Sequence, residues 1–319
     1  MNFAAIMFGS LKRLRKVEDR MFRVAEQYRS IVQIDQAGFS SRSKQGFRFP
    51  IYSLIAGKKK ARARAGFIAG VHGLEVIGVQ VLLHFMEHAL ERFKKEIEKG
   101  QLSLSFLPLL NPGGLAMRSR SNPAGVDLMR NAGQDAERAP FFFGGHFISP
   151  LLPYYRGKSL QPEARTLLRF IHQSFYGHKK GLMPVFDIHS GFGSRDQIWW
   201  PYAGKSDAPV DQHLFERLTG ELRRAHPEYI YTPQSESYMI HGDLWDRIYD
   251  SYQIRNAKNA ARLLPLTLEI STWTELRERP RRLLSKKKLF NPPRKKRRDA
   301  LDKHTELLAS VIDWTLTSP

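Results

Sequence analysis

The sequence predicts an α/β fold, a single domain with a mixed β-sheet flanked by helices. Two observations carry this reading. Short apolar runs of strand length alternate with longer amphipathic stretches. No internal repeat and no clear linker divides the 319 residues, of which 42% are hydrophobic and 26% charged, so one full core is expected across 1–319.

Ser10 to Ile31 reads as the first helix, with Leu11, Leu14, Val17, Met21, Val24 and Tyr28 recurring at three- and four-residue steps and Ser10 able to cap. Strands follow around Ile31–Ile34 and Phe47–Ile55, then a charged turn at Lys58–Arg64. Gly66–Val71 is short, apolar and glycine-bounded, the mark of a buried strand. A helix runs from about Glu75 to Glu98, with Val79, Leu82, Leu83, Met86 and Leu90 inward and Gly100 past its end. Leu102–Leu110 is another strand and Asn111–Gly114 a turn. Pro162–Tyr176 reads as helix with proline in its first turn. Met183–Ile188 and Leu263–Ile270 are strands, and Asp299–Leu316 is a closing helix with Leu301, Leu308, Val311, Ile312 and Thr315 on one side.

Composition narrows the chemistry. There is no cysteine, which excludes disulfides, thiolate zinc sites, iron–sulfur clusters and cysteine nucleophiles. Any metal must be held by His, Asp and Glu. The start, MNFAAIMFGSLKRLRK, places its positive charges after a short apolar run, the reverse of a signal peptide, and no apolar stretch approaches the length of a membrane span. A cytoplasmic location is the default expectation. The net charge is +20, and the stretch from Arg277 to Asp299, with twelve basic and two acidic residues, supplies +10 of it. Such a field attracts polyanions. The stretch contains Pro280, Pro292 and Pro293 and is expected to be an exposed extension before the last helix.

Three clusters carry the chemistry. His72-Gly73-Leu74-Glu75 follows a buried strand, where ligand sites of open α/β sheets lie. Gly73 leaves the backbone free to aim both side chains at one point, and zinc accepts imidazole and carboxylate. By itself the pair reads as well as a helix cap with an ordinary first-turn acid. Asp187-Ile188-His189-Ser190 again ends an apolar strand, and His189 can supply a third ligand with Asp187 orienting it or a neighbour. Alone it reads equally as a strand-end histidine bonded to backbone. Glu269 stands in the strand Pro265–Ser271 among apolar residues. A buried carboxylate without a partner is costly, so it is a candidate general base, or the partner of one of the many arginines.

The order of these pieces resembles the zinc carboxypeptidase (M14-like metallocarboxypeptidase) family. The matching pieces are His72-Gly73-Leu74-Glu75, Asn111-Pro112-Gly113-Gly114, Arg120-Ser121-Asn122 with Gly125-Val126-Asp127-Leu128-Met129-Arg130-Asn131, Asp187-Ile188-His189-Ser190 and Thr267-Leu268-Glu269-Ile270. Tyr155-Arg156-Gly157 with Gln161-Pro162-Glu163-Ala164 adds a sixth, and together they cover about 66–272. The resemblance implies that His72, Glu75 and His189 bind Zn²⁺. It implies Glu269 as general base toward the attacking water, returning the proton to the leaving nitrogen, and Arg120 as oxyanion stabiliser. Arg130 would grip a substrate carboxylate, and Tyr238, in the spacing Tyr238-x-x-x-Gly242, is the candidate mobile tyrosine, with Tyr249 and Tyr252 as rivals. The chain departs from the family at Met129, where asparagine is usual, and at Trp245-Asp246, which reverses the common order. Methionine cannot donate a hydrogen bond, so strict C-terminal exopeptidase action is not implied. Arg255 is a further candidate for the specificity pocket.

The expected activity is therefore zinc-dependent hydrolysis of a peptide-type amide near a free carboxylate, with acidic peptides favoured by the chain's charge. Two other readings compete. One is an N-acyl amino acid deacylase of the aspartoacylase type. The other is a non-catalytic polyanion-binding protein working through the basic segment, against which Glu269 stands.

Overall fold

The computed structural model of the protein describes residues 3–272 and 289–318. In chain order the elements are α1 (Phe3–Gln27), β1 (Val32–Phe39), β2 (Pro50–Ala56), β3 (Ala63–Ala69), α2 (Val76–Arg92), α3 (Lys94–Glu98), β4 (Leu102–Leu107) and α4 (Pro112–Met117). There follow α5 (Pro162–Phe175), β5 (Leu182–Ser190), β6 (Gln197–Trp200), α6 (Gln212–Ala225), β7 (Ile230–Pro233), α7 (Gln234–Ser237), α8 (Leu244–Arg255), β8 (Arg262–Ile270) and α9 (Arg297–Thr317).

The strands form one eight-stranded mixed sheet in the order β1-β2-β4-β3-β5-β8-β6-β7. Its centre, β4-β3-β5-β8, is parallel, and the edges bring in antiparallel pairs at β1/β2, β2/β4 and β6/β8. Parallel strands need cover on both faces, and they have it. One face packs on α2, α6 and α9 through Leu82, Phe85, Phe215, Leu218, Leu308 and Ile312. The other packs on α5 and α8 through Leu167, Phe170, Ile171, Trp245 and Ile248.

The α/β reading holds, with instructive shifts. The charged turn ends earlier than read, because Arg64 belongs to β3 and is buried, its guanidinium donating to the carbonyls of Ala61 and Ser174. The helix read from Glu75 to Glu98 breaks at Phe93 into α2 and α3. The turn at Asn111–Gly114 is the start of α4, where the Asn111 side chain accepts from the Gly114 N–H at 2.7 Å and Pro112 takes the first helical position. Of the stretch read as an exposed extension, 277–288 lies outside the described residues. In its described part Asn291 and Pro292 are buried, whereas Arg294, Lys295, Lys296, Arg298 and Asp299 are exposed. The Asn291 amide accepts from Ile77 N–H at 2.9 Å and donates to Leu74 O at 2.8 Å, tying this part of the chain to the start of α2.

Candidate metal centre and catalytic cleft

The centre is built where parallel strands end. β3 delivers His72 and Glu75 through a loop that passes so close to α4 that a Cβ on Gly73 would lie 2.0 Å from the Gly114 carbonyl carbon. Only glycine fits that approach. β5 delivers His189, and β8 sets Glu269 directly opposite it in register. One donor atom from each of His72, Glu75 and His189 lies within 4.8 Å of the others, and all three residues are buried.

The two imidazoles turn their Nδ1 atoms toward the carboxylate between them. His72 Nδ1 lies 2.8 Å from Glu75 Oε1, and His189 Nδ1 lies 3.0 Å from Glu75 Oε2. The outer nitrogens face carboxylates: His72 Nε2 lies 3.1 Å from Asp127 Oδ1, and His189 Nε2 lies 2.8 Å from Asp187 Oδ2. Despite its short distance to Glu75, His72 Nδ1 makes no well-directed hydrogen bond among the described residues. A buried ring nitrogen without a well-directed partner, beside two other donor atoms, is available to a cation held among the three. Carboxylates behind both imidazoles fix the tautomer that leaves each Nδ1 as donor to a cation, the arrangement of metal-binding histidines. The donor set of two imidazoles and a carboxylate fits zinc in a site with an open position.

Further charges pack around this core. Arg120 donates from Nη1 to Glu75 Oε1 at 3.1 Å and from Nε to Asp127 Oδ2 at 2.9 Å. Burial alone would raise the carboxyl of Glu75, but His72 and His189 outweigh it and hold it well below the usual range. For Asp127, burial is likewise outweighed, here by Arg120, Arg130 and His72. Burial lowers the basicity of His189, yet Asp187 and Glu75 reverse this and hold its proton affinity well above that of a free histidine. Glu269 behaves oppositely. Burial first, then the nearby Glu75 carboxylate, push it well above the ordinary carboxyl value, while Phe192 N–H donates to its Oε1 at 2.9 Å. An acid held close to proton-exchanging range is what general-base work needs.

His72, Glu75, Arg120, His189 and Glu269 line a cleft of about 480 Å³ together with Arg130, Met129, Tyr154, Phe192, Trp199, Tyr238, Thr267, Leu289 and Phe290. Arg130 is buried and already engaged: its Nε and Nη2 both donate to Phe143 O, at 3.1 and 2.9 Å. Phe143 O thus takes one edge of the guanidinium, while the Nη1/Nη2 end retains further N–H donors, with Nη1 3.7 Å from Asp127 Oδ2. Tyr238 lies in the cleft, its ring 5.1 Å from that of Phe192. A Cβ on Gly242 would come within 2.3 Å of Arg130 O, so the Tyr238–Gly242 loop is pressed against the backbone of Arg130. The rivals lie elsewhere. Tyr249 is buried in the core with its hydroxyl on Asp211, and Tyr252 is buried against Tyr176. Arg255 is exposed at the end of α8 and does not line the cleft.

Three contributors escaped the sequence reading. Asp127 stood inside a quoted motif without a role, yet it touches His72 and Arg120 and caps the turn at Leu128–Arg130. Trp245 donates from Nε1 to Asp187 Oδ2 at 2.8 Å, the same oxygen that faces His189. Ser190 donates to Phe290 O at 2.6 Å, drawing Phe290 to the cleft wall.

The family model described as zinc carboxypeptidase matches residues 17–299. Among curated proteins, carboxypeptidase SOL1 of Arabidopsis thaliana is 25% identical over 225 residues, which are 67% of this chain and 41% of that protein. Carboxypeptidase M of Mus musculus is 26% identical over 126 residues, 34% of this chain and 27% of that protein. The chain thus spans less than half the length of either relative. Bovine thrombin-activatable fibrinolysis inhibitor, solved with tick carboxypeptidase inhibitor, superposes with a TM-score of 0.69 at 17% identity over 95% of this chain and 96% of that one. Carboxypeptidase A of Helicoverpa armigera superposes with a TM-score of 0.63 at 16% identity over 92% of this chain and 70% of that one. At such identities the structural likeness is one of fold.

Proposed function

We propose that this chain, which belongs to the zinc carboxypeptidase family, hydrolyses a peptide-type amide bond with Zn²⁺ held by His72, Glu75 and His189. The observation that carries the reading is the convergence of the two Nδ1 atoms and the Glu75 carboxylate, with Glu269 opposite His189 on the next strand. Zinc bound there supplies Lewis-acid activation of water and of the amide carbonyl at neutral pH. The remaining work falls to the protein. Glu269 takes a proton from the attacking water as its oxygen joins the carbonyl carbon, and delivers that proton to the nitrogen as the C–N bond breaks. Arg120, fixed by Glu75 and Asp127, stands ready for the developing oxyanion. Asp127 and Asp187 hold the imidazoles in register. Arg130 and Tyr238 face the departing portion of the substrate.

Two observations loosen the demand for a C-terminal α-carboxylate. The Met129 side chain offers no donor, and Phe143 O fixes Arg130 by its Nε/Nη2 side, so the guanidinium cannot turn that side to a ligand. A carboxylate would meet Arg130 at its remaining Nη1/Nη2 edge without a second side-chain donor from residue 129, so amides with a displaced carboxylate are substrates as well as free C-termini. A preference for acidic peptides would rest on the +20 field of the chain, since Arg120 and Arg130 are the lysine or arginine side chains among the described cleft-lining residues. It would fade with salt.

The test is a matched pair of peptides, one with a free C-terminus and one amidated, assayed before and after chelation and zinc repletion. Chelator-sensitive cleavage of the free peptide, with the amidated one retaining measurable turnover, is expected. Chelator-resistant cleavage, or none of either, would end the reading.

A further inference from the structure

We propose that the apolar loop at the mouth of the cleft docks this protein on an anionic membrane surface. Between Arg138 and Lys158 the basic residues are Arg138, Arg156 and Lys158, and there is no Asp or Glu. Within that stretch Phe141, Phe147, Ile148 and Leu151 are 81%, 61%, 59% and 80% exposed. Large apolar side chains scattered singly over a surface need no explanation, but four exposed within residues 141–151 are a local concentration that water disfavours. The loop is held rather than slack. Phe142 stacks on His146 with ring centroids 5.0 Å apart, His146 Nε2 lies 2.8 Å from Pro153 O, and Tyr154 packs edge-on against Phe142 and Phe143. This frame presents the four apolar side chains outward.

Charge selects the occupant. The apolar side chains have Arg138 and Lys158 at the ends of their stretch, with Asp135 paired to Arg156 and Glu137 held by Ser206 just before it, and on a chain of net charge +20 they match a surface that is apolar beneath and anionic above. Arg156 is buried and paired with Asp135 at 2.6 Å, while Arg138 and Lys158 are exposed at the two ends of the stretch. The patch is also continuous with the cleft. Pro140, Phe143 and Tyr154 of the same loop line it, and Phe143 O holds Arg130. Docking through this loop sets the cleft mouth at the lipid boundary, where a substrate carried by the membrane enters beside Arg130. The inference stands whether or not the hydrolytic reading does.

The experiment is co-sedimentation of the full chain with vesicles of phosphatidylcholine alone and with phosphatidylglycerol added, comparing wild type with Phe141→Ser/Leu151→Ser. Wild type is expected on the anionic vesicles. The double variant should bind them at least about tenfold more weakly, since two large apolar side chains no longer leave water. Its melting temperature and its hydrolysis of a soluble peptide should be unchanged. Equal binding of both proteins would show that charge alone acts and would overturn the proposal. So would absence of wild-type binding at low salt. Loss of a wild-type dimer in the variant, seen by analytical ultracentrifugation without vesicles, would assign the patch to a second copy instead.

Discussion

Replacing Asp187 by asparagine isolates the charge behind His189 from the geometry around it. Asp187 Oδ2 faces two donors, His189 Nε2 and Trp245 Nε1, both at 2.8 Å, whereas Oδ1 has no hydrogen-bond partner among the described residues. An asparagine can put its oxygen where Oδ2 was and its amide group where Oδ1 was, so both hydrogen bonds survive and only the charge is lost. Carboxylates behind metal-bound histidines typically contribute about 10- to 100-fold in metal affinity, or about 1.4 to 2.7 kcal/mol. Asp187→Asn should weaken zinc binding by that factor, with little change in melting temperature. Asp127→Asn should behave differently. Asp127 Oδ1 faces His72 Nε2 and Met129 N–H, and Oδ2 accepts from Arg120 Nε, so either placement of the amide sets a donor against a donor. That variant should lose metal affinity and also about 3 to 5 kcal/mol of stability, the cost of breaking a buried charge pair. The assay is zinc competition against a chromophoric chelator, with thermal denaturation in parallel. Zinc affinity of Asp187→Asn within twofold of wild type would refute the reasoning.

Two further outcomes follow from the same geometry. Glu269→Gln should keep zinc and fold but lose about 10² to 10⁴ in kcat, because it removes the proton acceptor and little else; near-normal kcat on the best substrate would remove Glu269 from the mechanism. His304 is buried on α9, and burial first, with Lys303 also lowering it, brings its pKa down to about 4 against the partial offset of Asp196 and Glu228. Its folded pKa lies below its unfolded value, so the unfolded chain binds more protons between pH 6.5 and 4, and stability falls as pH drops through that window. The shift corresponds to about 3 kcal/mol, so wild type should lose about that much more than His304→Gln between pH 7 and 4 in denaturant titrations. Parallel pH profiles would show that His304 is not the group responsible.

The centre of the sheet was legible because its strands are apolar and bounded by glycine or charge, and because the chemistry sits immediately after them: His72 and Glu75 beyond β3, His189 near the end of β5, Glu269 near the end of β8. A residue just past an apolar run is positioned by the sheet, whatever the rest of the chain does. β6 and β7 escaped notice since four residues each, Gln197–Trp200 and Ile230–Pro233, are too short for alternation to register. Their place depends on pairing with β8, which is a tertiary fact. α6 carried a readable signal in Phe215, Leu218 and Leu222, spaced by three and four and all buried. The engagement of Arg130 was out of reach, because its partner is a backbone carbonyl on a loop whose course no local pattern dictates. Trp245 was seen only as an inverted dipeptide. Its meeting with Asp187 across the α8–sheet interface required the fold.

The account rests on His72, Glu75 and His189 holding one metal ion. Elemental analysis of protein loaded with zinc and then dialysed free of excess tests this most directly, on wild type beside His72→Ala and His189→Ala. One zinc per chain in wild type, with most of it lost from both variants and from wild type at acid pH where the imidazoles protonate, is the predicted result. Stoichiometric zinc in both variants would contradict it.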